Sequence, residues 1–112
     1  MMKKMVAGLV LAVAVATAAE GREWYEGGTL HRGSVADWKA ATDRNRLATS
    51  ADFAVRSTHV QRRFQRLGMA AFRSDTQSLM TCIDTAAADP DFRRYQIVEL
   101  AAACLVITGL SG

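Results

Sequence analysis

The densest group of side chains able to do chemistry in this sequence is basic and lies within residues 56–66. Its members share one face of a helix that is predicted to start near residue 51. They are Arg56, His59, Arg62, Arg63 and Arg66. A guanidinium binds a carboxylate or phosphate through two parallel hydrogen bonds. The cluster therefore predicts a binding face for an anionic partner; the alternative is a solvated face whose charge nearby acids balance.

An apolar stripe at helical spacing is predicted on the opposite side of the same helix. It consists of Phe53, Val60, Phe64 and Leu67. Apolar residues that recur at this spacing form the core-facing side of a helix. Arg73 would extend the basic face only if the helix continued past Gly68, and glycine there favours a helix end.

Residues suited to catalysis or metal binding are few and scattered. His31 could be catalytic only with a partner supplied by the fold, and His59 is expected on the solvent side of its helix. Glu99 lies in an apolar helix, so it is either a buried acid or pH sensor, or an exposed carboxylate that pairs with Arg94 or Arg73. No metal, nucleotide or serine-nucleophile motif is present in the sequence. We therefore expect no enzyme activity, no metal and no cofactor.

The two cysteines, Cys82 and Cys104, are expected to form a disulfide. Two thiols in an oxidising compartment usually pair, and the loop they close is of a length that gives about 3 kcal/mol of stabilisation. The alternative is a pair of buried free thiols.

An oxidising compartment follows from the amino-terminal pattern. Lys3 and Lys4 precede an apolar run over residues 5–16 and a small-residue site ending at Ala18, the order of a cleavable signal peptide. We expect residues 1–18 to be removed and residues 19–112 to form a single helical domain, periplasmic or secreted, without a transmembrane segment. An uncleaved membrane anchor or a buried first helix is the alternative.

The net charge of the predicted mature chain is small. Loss of Lys3 and Lys4 leaves 12 basic residues against 11 acidic residues. This balance gives no global attraction to polyanions, so we expect no nucleic-acid partner. Any electrostatic binding must depend on a local cluster.

The elements that position these residues are predicted to be all α: a small bundle of about four helices with an irregular N-terminal arm over residues 20–33. The helices are predicted at residues 35–42, 51–67, 75–87 and from about 95 to 108, with Asn45 and Arg46 at a junction. Asp89-Pro90 predicts a separate turn before the last helix. That helix is apolar nearly all round and is therefore predicted at the centre of the bundle.

The aromatic residues near the arm predict that it packs back across the helices. They are Trp24, Tyr25 and Trp38. Large aromatic side chains near an irregular segment usually join the core, and the alternative is an aromatic contact patch for a partner.

The segment Gly27-Gly28-Thr29-Leu30-His31, followed by Trp38 and by the run NRLATSADF at residues 45–53, resembles a group of small exported bacterial proteins of unknown function. That resemblance implies export and no particular activity. A looser similarity, in size, helices and a late cysteine pair, is to acid-activated periplasmic chaperones and to amidase immunity proteins.

Together these features predict a non-enzymatic exported interaction protein that binds another protein or an anionic surface. An acid- or stress-responsive periplasmic protein of chaperone type is the first alternative. A small cell-wall hydrolase that uses His31 or Glu99 is the second.

Overall fold

The computed structural model describes residues 22–112, and these residues form a helical bundle preceded by an irregular arm. The predicted signal peptide, residues 1–18, lies outside the described residues. Within 22–112 the β-pairing is limited to one isolated bridge between Ser34 and Gln96. The prediction of an all-α fold with an irregular arm and one disulfide is confirmed.

Five α-helices and one 3-10 turn follow the arm. They are α1 Val35–Ala40, α2 Asp43–Ala54, α3 Thr58–Leu67, α4 Met69–Ala88, the 3-10 turn Pro90–Phe92, and α5 Ile97–Ile107. Helix α4 is the centre of the bundle, because it contacts each of the other four helices and the 3-10 turn.

The prediction of a junction at Asn45 and Arg46 is wrong, since both residues lie inside α2. The helix starts earlier because the Thr42 hydroxyl accepts a hydrogen bond from the Asn45 amide at 3.1 Å, as an N-cap. The Arg46 side chain reaches back to the carbonyls of Trp38 and Ala41, at 2.9 and 2.7 Å, and so satisfies acceptors at the end of α1.

The prediction of one helix over residues 51–67 is also wrong, because the chain breaks between α2 and α3. Ser57 causes the break: its hydroxyl caps α3 by accepting from the Val60 amide and donates to the Leu110 carbonyl. The predicted end of the helix at Gly68 is confirmed, and this glycine has a positive φ of 87°. Helix α4 begins immediately afterwards, at Met69 rather than at the predicted residue 75.

The prediction that the last helix occupies the centre of the bundle is wrong. Helix α5 buries Ile97, Leu100, Ala101 and Cys104 along one side only. On its other side Val106 is 68% exposed and Ile107 is 75% exposed. The bundle has too few elements to cover α5 all round, so an apolar surface faces solvent.

The predicted disulfide and the predicted separate turn are both confirmed. Cys82 and Cys104 are bonded, with their Cα atoms 5.8 Å apart, and this bond ties α4 to α5. Pro90 opens the 3-10 turn, and the Asp89 carboxylate caps it by accepting from the Asp91 amide.

The arm packs back across the helices, as predicted from its aromatic residues. The Trp24 ring lies 5.4 Å from the Phe72 ring of α4, centroid to centroid. Gly28 lies so close to α2 that an added Cβ would sit 2.5 Å from the Thr49 backbone nitrogen. Trp38 of α1 is only 1% exposed and donates its indole N–H to Asp84 of α4 at 2.8 Å.

Candidate functional site

The predicted basic residues belong mainly to α3, a helix that contains no aspartate or glutamate. Its inner side carries the buried Val60 and the half-buried Phe64, whose ring lies 5.4 Å from that of Phe72. Arg62 and Arg66 lie on its exposed side. Leu67, predicted to face the core, is 54% exposed because α3 ends there and the chain turns away at Gly68.

Arg63 differs from its neighbours because it forms an ion pair within the bundle. Its Nε lies 2.9 Å from Oδ2 of Asp75 on α4, and the two side chains are 32% and 8% exposed. A buried carboxylate requires a partner, so Arg63 holds α3 against α4. The sequence did not indicate this pairing, since the two residues belong to different helices.

The other predicted members are spread around α3. Arg56 lies in the turn before the helix, with its guanidinium carbon 5.8 Å from the centroid of the Phe53 ring. His59 is half-buried and lies near the end of the chain at Gly112. Arg73 does not join them, because it lies on α4 with its guanidinium 5.1 Å above the Trp24 ring.

Three arginines of this region have no carboxylate partner among residues 22–112. The ion pairs in that part of the chain are His31 with Asp52, Arg46 with Asp43, and Arg63 with Asp75. The three arginines outside these pairs, Arg56, Arg62 and Arg66, are named the arginine face below. Because α3 carries no acid, the charge of Arg62 and Arg66 is not balanced on the helix itself.

His31 does find a partner in the fold. Its Nε2 lies 2.7 Å from Oδ2 of Asp52 on α2, and both side chains are partly exposed. The ring also packs edge-on against Phe53, with centroids 5.6 Å apart. Within residues 22–112 no serine or cysteine side chain is hydrogen-bonded to this pair. The contact ties the arm to α2, and the separation of 21 residues hid it from sequence reasoning.

Glu99 is exposed and belongs to the cap of its own helix. Its Oε1 accepts a hydrogen bond from the Gln96 amide at 2.9 Å, in a capping box at the start of α5. The interpretation as a buried acid is wrong. The alternative of an exposed carboxylate is confirmed, although Glu99 forms no ion pair with Arg94 or Arg73.

An apolar groove of about 700 Å³ runs between α4 and α5. Its lining includes the disulfide, Ala86 and Ala103, together with Phe92 and Tyr95, which lie between the end of α4 and the start of α5. Sequence reasoning missed this groove, because it assigned the apolar residues of α5 to the core. The apolar character of α5 on all sides was nevertheless a signal for it.

The described residues give no geometry for a metal: no group of three or more histidine, cysteine, aspartate or glutamate side chains in 22–112 could hold one. Among the same residues, no helix has both the length and the apolar character needed to cross a membrane.

Comparisons of the chain with models of protein families, with curated proteins and with solved structures found no match in any of the three.

Proposed function

We propose that this protein is a non-enzymatic, exported interaction protein that binds an anionic partner through its arginine face. The observation that carries the proposal is a set of three arginines without a carboxylate partner, of which Arg62 and Arg66 lie on a helix free of acids and Arg56 lies in the turn before it. Arginines kept solely for solubility are usually interspersed with acids. Here α3 carries arginines and no acid of its own, in a chain whose predicted mature form is almost neutral.

Export is supported by the signal-peptide pattern and by the disulfide. Disulfides such as the one between Cys82 and Cys104 persist in the periplasm and outside the cell, and are rare in the cytosol. We therefore expect the protein in the periplasm or outside the cell, and we expect its partner in the same compartment.

An acidic protein surface fits the arginine face better than a lipid bilayer does. A helix that binds in the membrane interface inserts its apolar side. The apolar side of α3 is already used, because Val60 is fully buried and Phe64 packs on Phe72. Three arginines alone would contribute only about 3 kcal/mol of binding free energy on an anionic membrane. A carboxylate of a protein, in contrast, can bind each guanidinium through two hydrogen bonds.

Capture from a periplasmic extract tests this proposal. The immobilised processed protein is compared with the variant Arg56→Gln, Arg62→Gln, Arg66→Gln, and bound proteins are quantified by mass spectrometry. We expect an acidic partner whose apparent affinity falls about tenfold or more in the variant, since each lost charge-assisted hydrogen bond contributes about 1.5–3 kcal/mol. Raising the salt concentration should reduce the difference between the two proteins, because exposed charges are screened.

A charge-matched control separates a specific face from a general charge effect. Arg32, Lys39 and Arg94 are exposed, belong to segments other than α3 and form no ion pair among residues 22–112. Their joint change to glutamine removes the same charge and should leave capture unchanged. Equal loss in both triple variants, or no loss in the first, would contradict the proposal.

A further inference from the structure

The groove between α4 and α5 is built from two stripes at helical spacing. Helix α4 supplies Cys82, Thr85 and Ala86, and Asp89 follows at its end; α5 supplies Glu99, Leu100, Ala103, Cys104 and Ile107. The small residues Ala86 and Ala103 are part of its lining, and the disulfide fixes the separation of the two helices at Cys82 and Cys104. The distance between the two walls is therefore set in part by a covalent bond.

The charge of this groove is opposite to that of the arginine face. Asp89 and Glu99 are its only charged lining residues, and no lysine or arginine lines it. Neither carboxylate takes part in an ion pair among residues 22–112. One carboxylate oxygen of Asp89 accepts a hydrogen bond from the Asp91 amide, and one of Glu99 accepts from the Gln96 amide. The second oxygen of each carboxylate can accept from another donor.

We propose that this groove binds a short apolar peptide segment of another protein that carries lysine or arginine. The aliphatic side chains of the segment would pack against the apolar walls, and its lysine or arginine side chains would pair with Asp89 and Glu99. Phe92 and Tyr95 belong to the lining, with ring centroids 5.8 Å apart, and are 37% and 45% exposed. Exposed aromatic rings are frequent anchors of protein interfaces, and they also attract cations.

The dimensions fit a segment rather than a whole protein face. The distance along α4 from Cys82 to Asp89 is about 10 Å at 1.5 Å per residue. That length holds about two turns of a helix. The volume of about 700 Å³ also lies in the range of sites that enclose a compact ligand.

A second copy of this chain fits the groove less well. A two-fold dimer pairs the same patch of both subunits. A dimer whose two-fold axis runs along the groove, or through its acidic end, would bring Asp89 and Glu99 of one copy near those of the other. Like charges in an apolar contact oppose association, so the charge pattern favours a cationic partner over self-association.

Binding of two labelled synthetic peptides, measured by fluorescence anisotropy, tests the proposal. One peptide repeats Leu-Leu-Lys and the other repeats Leu-Leu-Glu. We expect the full oxidised protein to bind the lysine peptide roughly tenfold more tightly than the glutamate peptide. The double variant Asp89→Asn, Glu99→Gln should remove this preference. Asparagine and glutamine keep an oxygen acceptor, so both caps survive.

A matched pair of arginine substitutions places the peptide on the molecule. Ala103 and Ala102 are adjacent and exposed on α5, but only Ala103 lines the groove. Ala103→Arg should fill the groove, engage its carboxylates and weaken binding of the lysine peptide about tenfold or more. Ala102→Arg adds the same charge and should leave binding unchanged. The variant of the arginine face, Arg56→Gln, Arg62→Gln, Arg66→Gln, should also bind the lysine peptide normally, which separates this test from that of the proposed function.

Three results would overturn the proposal. They are the absence of peptide binding, equal affinity for the two peptides, and equal loss of binding in Ala103→Arg and Ala102→Arg. Sedimentation of the unliganded protein adds a further check: a dimer that Ala103→Arg dissociates would place a second copy in the groove instead of a peptide.

Discussion

Replacement of Cys82 and Cys104 together by alanine is expected to lower the free energy of unfolding by about 3 kcal/mol. The disulfide closes a loop whose ends are 22 residues apart, and a cross-link of that length restricts the unfolded chain by about this amount. In the folded state the bond joins α5 to α4, and α5 has little other cover. We therefore expect α5 to separate from the bundle first when the link is removed.

Urea unfolding followed by circular dichroism measures this effect. The oxidised parent is compared with the reduced parent and with the double alanine variant. The reduced parent and the variant should unfold at similar, lower urea concentrations. If reduction leaves the urea midpoint of the parent unchanged, the disulfide does not stabilise the packing of α5 on α4.

Trp38→Ala is expected to destabilise the fold by about 3–5 kcal/mol, the usual cost of removing a large buried aromatic side chain. Trp38 is 1% exposed and joins α1 to the central helix α4 through its hydrogen bond to Asp84. The short α1 has few other buried residues, so its position depends on this side chain. Loss of Trp38 should release α1 and the arm that precedes it.

Two milder variants separate the packing of Trp38 from its hydrogen bond, with thermal unfolding as the measurement. Trp38→Phe keeps most of the buried ring and loses the N–H donor, so its loss should be about 1–2 kcal/mol. Asp84→Asn keeps an oxygen acceptor and should change stability little. A Trp38→Ala protein as stable as the parent would show that α1 is not anchored in this way.

Local signals in the sequence were sufficient to predict helix ends and turns that depend only on neighbouring residues. Gly68 and Asp89-Pro90 each carry a helix end or turn whose chemistry lies within a few residues, and each was predicted correctly. The Thr42 cap and the Ser57 break were missed because a hydroxyl is a weaker signal. The helical periodicity of residues 51–67 also continues across the break.

Contacts between distant segments could not be predicted in the same way. The basic cluster was found by its spacing, but the engagement of Arg63 by Asp75 depends on how α3 crosses α4. The partner of His31 likewise comes from α2. The exposure of α5 depends on the number of helices around it, which its own apolar sequence does not encode. The groove between α4 and α5 was therefore not predicted, although all the residues that line it can be read in the sequence.

The separation of Arg63 from the arginine face is the central structural claim, and one paired measurement tests it most directly. Stability in urea and partner capture are measured for Arg63→Gln and for the double variant Arg62→Gln, Arg66→Gln. The double variant should keep its stability to within about 0.5 kcal/mol per residue and lose capture. Arg63→Gln should lose about 1–3 kcal/mol, because the buried Asp75 is left without its charged partner, and should capture normally while folded. The reverse result, with an unstable double variant and a stable Arg63→Gln that no longer captures, would contradict the account.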